Sequence, residues 1–122
     1  MTLLAIDHVQ LAMPAGREAE ARAFYVGVLG LEERSKPDNL AKRGGCWFEA
    51  GPVRVHLGVD PDFHPATKAH PAFLVEDVHR LARRAETGGY RVVSDEPLAG
   101  YDRLYVYDPF GNRIELMQRV SS

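Results

Sequence analysis

Three histidines and one glutamate in this chain, His8, His56, His70 and Glu115, are of the types that bind a divalent cation. Neutral imidazole and carboxylate suit zinc, iron(II), nickel, cobalt or manganese, and a set of this kind with open positions can also admit a substrate or dioxygen. Three neutral imidazoles and one carboxylate leave a divalent ion with about one net positive charge, which favours a chelating anionic oxygen. The ion would then serve as a Lewis acid or an oxygen-activating centre. Strands also commonly carry polar residues on a solvated face, so the four remain candidates until the elements that carry them are considered.

Those elements form a unit written twice. Residues 6–13 alternate, with His8, Gln10 and Ala12 on one face and Val9, Leu11 and Met13 on the other, which predicts a half-buried strand. Ala21, Phe24, Tyr25 and Val28 then recur at helical spacing, with Gly30 placed as a C-terminal cap, so a helix of about three turns follows. Strands are expected over 32–36, 45–49 and 53–59, separated by Pro37, Gly44-Gly45 and Gly51-Pro52. The second half repeats the order: a strand over 70–75, a helix capped by Asp77 with Val78, Leu81, Ala82 and Ala85 as its apolar stripe, and strands over 90–94, 103–107 and 113–118. Residues 4–60 and 68–119 are thus two matching modules. The Pro-containing linker between them reads as a crossover, and each module is small enough that the two are expected to pack as one domain spanning 1–122.

Superposed on this repeat, His8 corresponds to His70 and His56 to Glu115. Alternation puts His56 on the face opposite Val55 and Leu57, and Glu115 on the face opposite Ile114 and Leu116. If helices cover the apolar faces, the polar faces can line one concave surface where the four meet. Gln10, Trp47, Arg103 and Tyr105 fall on the same faces and are candidate substrate contacts; Trp47 and Tyr105 correspond across the repeat. Packing explains the aromatics equally well. Arg103 could fork onto a carboxylate or phosphate, or lie solvated at an edge; Lys36 and Lys68 are weaker candidates. Tyr101, in the loop before Arg103, has only its position to suggest a lid or proton donor. His64 and His79 are expected to be exposed.

Composition narrows the classes. A net charge of -2 with interspersed signs offers no field for nucleic acid or an anionic membrane surface. The N-terminal stretch lacks a basic region and is interrupted by Asp7, so a cytoplasmic protein is expected. Cys46 is the sole cysteine; no intrachain disulfide can form, and any metal site must use histidine and carboxylate. Its position opposite Trp47 predicts a buried, inert thiol.

The segments IDHVQLAM, FYVGVLGLE, HPAFLVED and DPFGNRIEL, in this order over nearly the whole chain, resemble the vicinal oxygen chelate superfamily, which includes glyoxalase I, extradiol dioxygenases and the fosfomycin and bleomycin resistance proteins. The resemblance implies an α+β fold of two βαβββ modules, their curved mixed sheets surrounding a concave metal site. It implies metal ligation by His8, His70 and Glu115, with His56 at a fourth position that holds glutamate in many glyoxalases. It further implies a homodimer, with ligands drawn from one chain or both. Glu115 would double as the catalytic base. The imidazole at position 56 removes one carboxylate that glyoxalase I uses for proton transfer, which argues against that activity. The expected function is a metal-dependent lyase, isomerase or dioxygenase acting on a small oxygen-chelating substrate. The alternative is a non-catalytic small-molecule or antibiotic binder of the bleomycin-resistance type.

Overall fold

The computed structural model describes residues 1–121. They fall into two compact units, one ending at His64 and the other beginning at Pro65, so the division lies within the expected crossover. The architecture is α+β, with two open, curved, four-stranded mixed sheets, ordered β1-β4-β3-β2 in the first unit and β5-β8-β7-β6 in the second.

In the first unit, β1 (Val9–Met13) runs parallel to β4 (Val53–Val59), which pairs antiparallel with β3 (Cys46–Ala50), and β3 with β2 (Glu32–Arg34). Alternation sends Leu11 and Met13, Cys46 and Phe48, and Val55 and Leu57 into the core. Helix α1 (Glu18–Tyr25) covers it with Ala21, Phe24 and Tyr25, all fully buried, and packs on β3. The regular helix is shorter than the apolar stripe suggested. Beyond Tyr25 the chain unwinds through wider turns, with Gly27 N–H donating to the Arg22 carbonyl and Leu31 N–H to that of Tyr25, and Gly30 takes a φ of 75° where any side chain would be strained. Val28 is still buried, because these turns keep its face inward. A short helix α2 (Asp38–Ala41), absent from the sequence reading, follows Pro37, whose fixed φ suits a helix start. Four residues are too few for a hydrophobic period to declare itself.

Buried beneath α1, Cys46 has its thiol pushed up by desolvation to about 11. Almost no thiolate exists near about pH 8, so iodoacetamide is expected to leave the folded protein unmodified and to alkylate it fully in denaturant; rapid labelling of native protein would contradict this burial.

In the second unit, β5 (Ala72–Leu74) runs parallel to β8 (Arg113–Arg119), which pairs with β7 (Tyr101–Tyr107), and β7 with β6 (Val92–Ser94). Asp77 caps α3 (Val78–Thr87) as expected, its carboxylate accepting from Arg80 N–H at 3.0 Å. Val78, Ala82 and Ala85 form the helix's buried stripe, and Leu104, Val106, Ile114 and Leu116 are buried on one face of the sheet. Tyr101 is not in a loop: it opens β7 opposite Arg119, and Gly100 accepts from Val120, so the β7–β8 ladder extends two residues further than the apolar run indicated. The first strands also start later than expected, leaving His8 one residue ahead of β1 and His70 two residues ahead of β5. For His70 the cause is Pro71, which has no N–H to give a ladder.

The DPFGN turn is a hydrogen-bonded knot. Asp108 is 4% exposed; its Oδ1 accepts from Phe110 N–H and Asn112 N–H, both at 2.9 Å, and its Oδ2 from the Asn112 amide. Asn112 Oδ1 in turn accepts from Ala66 N–H, while the Ala66 carbonyl accepts from Arg113 N–H. This pins the start of the strand that carries Glu115.

Candidate functional site

The eight residues proposed as ligands or substrate contacts fall into two groups of four, one in each unit. In the first unit, β1 and β3 flank β4 so that Gln10 and Trp47 are both register partners of His56. The His56 ring is sandwiched, 4.1 Å from Trp47 on one side and 4.0 Å from His8 on the other, nearly parallel to both. His8 Nδ1 lies 3.0 Å from Asp7 Oδ2. A carboxylate can only accept, so Nδ1 carries the proton and the Nε2 lone pair is left for a ligand bond. A carboxylate behind an imidazole is the usual arrangement for metal-ligating histidines. The same hydrogen bond holds Asp7 below the ordinary carboxylate range. Asp7 is a residue that sequence reading passed over as a mere break in an apolar run; its adjacency to His8 was the available signal.

Burial, followed by the neighbouring His8 ring, lowers the pKa of His56 from its ordinary 6.5. Because the folded value lies below the unfolded one, His56 contributes its full stability above about pH 6.5, and this is lost as pH falls through the lowered folded value. A nuclear magnetic resonance titration is expected to find the His56 ring protonating at lower pH than a free histidine; a raised midpoint would contradict the stacked geometry.

In the second unit, His70 Nδ1 is 2.9 Å from the carbonyl oxygen of Lys68 and must donate to it. Its Nε2 is 3.0 Å from Glu115 Oε1. In the neutral imidazole this sets two lone pairs against each other, so the contact needs a positive charge between the atoms, either a proton or a metal ion. Glu115 is 8% exposed, and its other oxygen accepts from Arg103 Nη1 at 3.2 Å. Arg103 also donates to the Glu96 carbonyl and lies 3.3 Å from Asp95, while its Nε is buried without a partner among the described residues. Tyr105 stands opposite Glu115 in the ladder and edge-on to His70 at 5.2 Å. Its hydroxyl donates to Asp95 at 2.7 Å, a bond that lowers the carboxyl pKa and raises that of the phenol. Asp95 is another site neighbour that sequence reading missed, since it lies on no periodic element. Arg103 is therefore a half-buried member of a charged network.

His64 and His79 are exposed, as expected; His64 bonds the Asp62 carbonyl and His79 pairs with Asp102. Among the described residues no three His, Cys, Asp or Glu side chains gather closely enough to hold an ion. What each unit holds is a ligand-competent pair: His8 with His56, and His70 with Glu115. The donor types fit a borderline divalent metal, and the 3.0 Å His70–Glu115 contact fits an ion or a proton between its atoms. No helix among the described residues is long and apolar enough to cross a membrane.

Two repeated sheets presenting histidine and carboxylate on their polar faces define a class, and comparison with known proteins agrees. The Glyoxalase/Bleomycin resistance protein/Dioxygenase superfamily model matches residues 5–116, and the chain belongs to that superfamily. A putative glyoxalase family protein from Bacillus anthracis is 47% identical over 98% of both chains, with a TM-score of 0.92. The fosfomycin resistance protein FosX from Listeria monocytogenes, in a crystal structure complexed with Mn(II) and sulfate ion, shares the fold at 16% identity and a TM-score of 0.78, over 98% of this chain and 93% of that one. The virulence protein STM3117 from Salmonella typhimurium does so at 22% identity and a TM-score of 0.71, covering 98% of this chain and all of the other. A search of the curated proteins returns no match.

Proposed function

We propose that this protein is a metal-dependent enzyme acting on a small substrate with neighbouring oxygens, through a lyase, isomerase or dioxygenase type of reaction. The observation that supports this best is His70 Nε2 facing Glu115 Oε1 at 3.0 Å, with His70 Nδ1–H already committed to a backbone carbonyl. His8, His56, His70 and Glu115 supply the ligands. His8 comes in the tautomer that ligation needs, fixed by Asp7. Zinc, iron(II), nickel, cobalt and manganese all suit this donor set, and manganese is the ion seen with FosX.

When bound, the ion supplies a Lewis acid for substrate oxygens or a centre for dioxygen. The protein's own groups do the rest. In this reading Glu115, whose two oxygens contact His70 and Arg103, takes the proton. Arg103 balances its negative charge, and the Tyr105–Asp95 bond fixes the ring beside it. Trp47 and Gln10 bracket His56 as the wall that a substrate body meets.

The test is metal retention after chelator treatment and reloading: the wild type is expected to bind an ion that His8→Ala and His70→Ala both lose. Equal metal content in all three proteins would contradict the reading. Asp7→Asn, which keeps the shape but removes the orienting charge, is expected to weaken binding by about tenfold. The cytoplasmic homodimer belongs to the same proposal, and its mass is read directly by light scattering.

A further inference from the structure

A cavity of about 250 Å³ opens in the first unit where the segment joining β2 to β3 meets the sheet. Trp47, Leu40 and Leu57 form its apolar wall, while Gln10, Lys36 and Arg43 form its polar one. At that volume it is smaller than the roughly 300 Å³ at which drug-sized sites begin, so a single ring or short chain is the right size of guest. It adjoins the stacked rings, since Gln10 and Trp47 flank His56 in the sheet.

Both of its charged lining residues, Lys36 and Arg43, are cations. The Lys36 ammonium donates to the Gly44 carbonyl, which ties it to the loop and leaves about two of its three N–H groups for a guest. Among the described residues no carboxylate bonds or ion-pairs with Lys36 or Arg43. Glu18, which reaches the same loop and accepts from Gly45 N–H at 2.9 Å, is within electrostatic reach of Lys36 and offsets part of its charge, while Arg43 has no such partner among the described residues. Two cations at one small concavity, with low-dielectric walls around them, focus a positive field on it. Opposite them the Gln10 amide lies over Gly58 so closely that a Cβ there would come within 2.7 Å of its nitrogen.

We propose that this cavity binds a small organic anion, a carboxylate or phosphonate on a compact apolar body. Lys36 and Arg43 hold the anionic group, Trp47 covers the body, and the Gln10 amide hydrogen-bonds one of its oxygens. Its assignment as the outer part of the substrate site rests on the proposed metal reading; the anion binding does not. No covalent step is involved.

Trp47 is the only tryptophan in the chain, so its emission reports on this cavity and on the His56 ring stacked against it. Protein stripped of metal by chelator is titrated with phenylphosphonate, benzyl alcohol and inorganic phosphate. Phenylphosphonate is expected to change the Trp47 emission saturably. Benzyl alcohol, which lacks the charge, should produce no change at the same concentrations, and inorganic phosphate, which lacks the ring, should bind at least about tenfold more weakly. Lys36→Met with Arg43→Met should raise the phenylphosphonate dissociation constant by at least about tenfold, while Arg83→Met, on the exposed face of α3, leaves it unchanged. Gly58→Ala, which displaces only the flexible end of Gln10, should weaken binding without changing the melting temperature, so the proposal does not depend on how well the double variant folds. No saturable change in the wild type, an equal loss in Arg83→Met, or phosphate binding as tightly as phenylphosphonate would each overturn the proposal. A signal that disappears on stripping, or in Glu115→Gln, overturns it too while leaving the metal reading standing.

Discussion

Glu115→Gln is expected to cost the protein its divalent ion while leaving it folded. Glutamine keeps the size of the side chain and an oxygen that can still accept from Arg103, which also retains the Glu96 carbonyl and Asp95. What is lost is the negative charge facing His70 Nε2. An uncharged amide oxygen is a weak ligand for a divalent cation, and the loss removes the one carboxylate in the set. Disturbing a group behind a ligand typically weakens metal binding by about 10- to 100-fold, so losing a ligand itself should exceed about 100-fold. Activity at the proposed centre should fall at least as far, because the same substitution removes the proton acceptor. The check is a competitive metal titration against a chromophoric chelator, alongside circular dichroism. Wild-type affinity in a folded Glu115→Gln protein would remove this residue from the centre.

Asp108→Ala is expected to have the largest effect on stability. Asp108 satisfies two backbone N–H groups and a side-chain amide inside a buried turn, and alanine leaves all three without their acceptor. Each buried unsatisfied donor costs about 1–3 kcal/mol. Partial rescue by solvent would still leave a loss of about 3–5 kcal/mol, a large part of the stability of a chain this size. Asn112 also anchors the segment at Ala66, so the loosened turn should release the start of β8 and, two residues on, the position of Glu115. Denaturant unfolding measures the first consequence and metal affinity the second. A midpoint within experimental error of the wild type would show that the knot is dispensable.

Long alternating segments were legible from the residues alone. The span Val53–Val59 is recovered as read, because Val55 and Leu57 can only be buried together if His56 faces the other way. The repeat pairs His8 with His70 and His56 with Glu115 from the residues alone, since both halves solve the same packing problem with the same element order. The chemical detail was not legible. That His70 Nε2 faces Glu115 depends on the Lys68 carbonyl two residues away, a backbone group with no residue-type signature. The Tyr105–Asp95 bond joins β7 to a residue outside any strand, and the Lys36 and Arg43 cavity depends on the path of an irregular segment. Loop conformation follows from specific turns and side-chain bonds that periodicity does not encode. The short α2 and the extended β7 escaped for the same reason.

The proposed centre requires His8, His56, His70 and Glu115 each to be a ligand of the bound ion. X-ray absorption at the metal edge of the reloaded protein measures this directly, because imidazole rings scatter in a recognisable pattern and can be counted. The account predicts three imidazoles around the ion in the wild type, and a smaller number in His56→Ala and in His70→Ala alike. An ion whose coordination shell is unchanged by either substitution, or changed by only one of them, would contradict it.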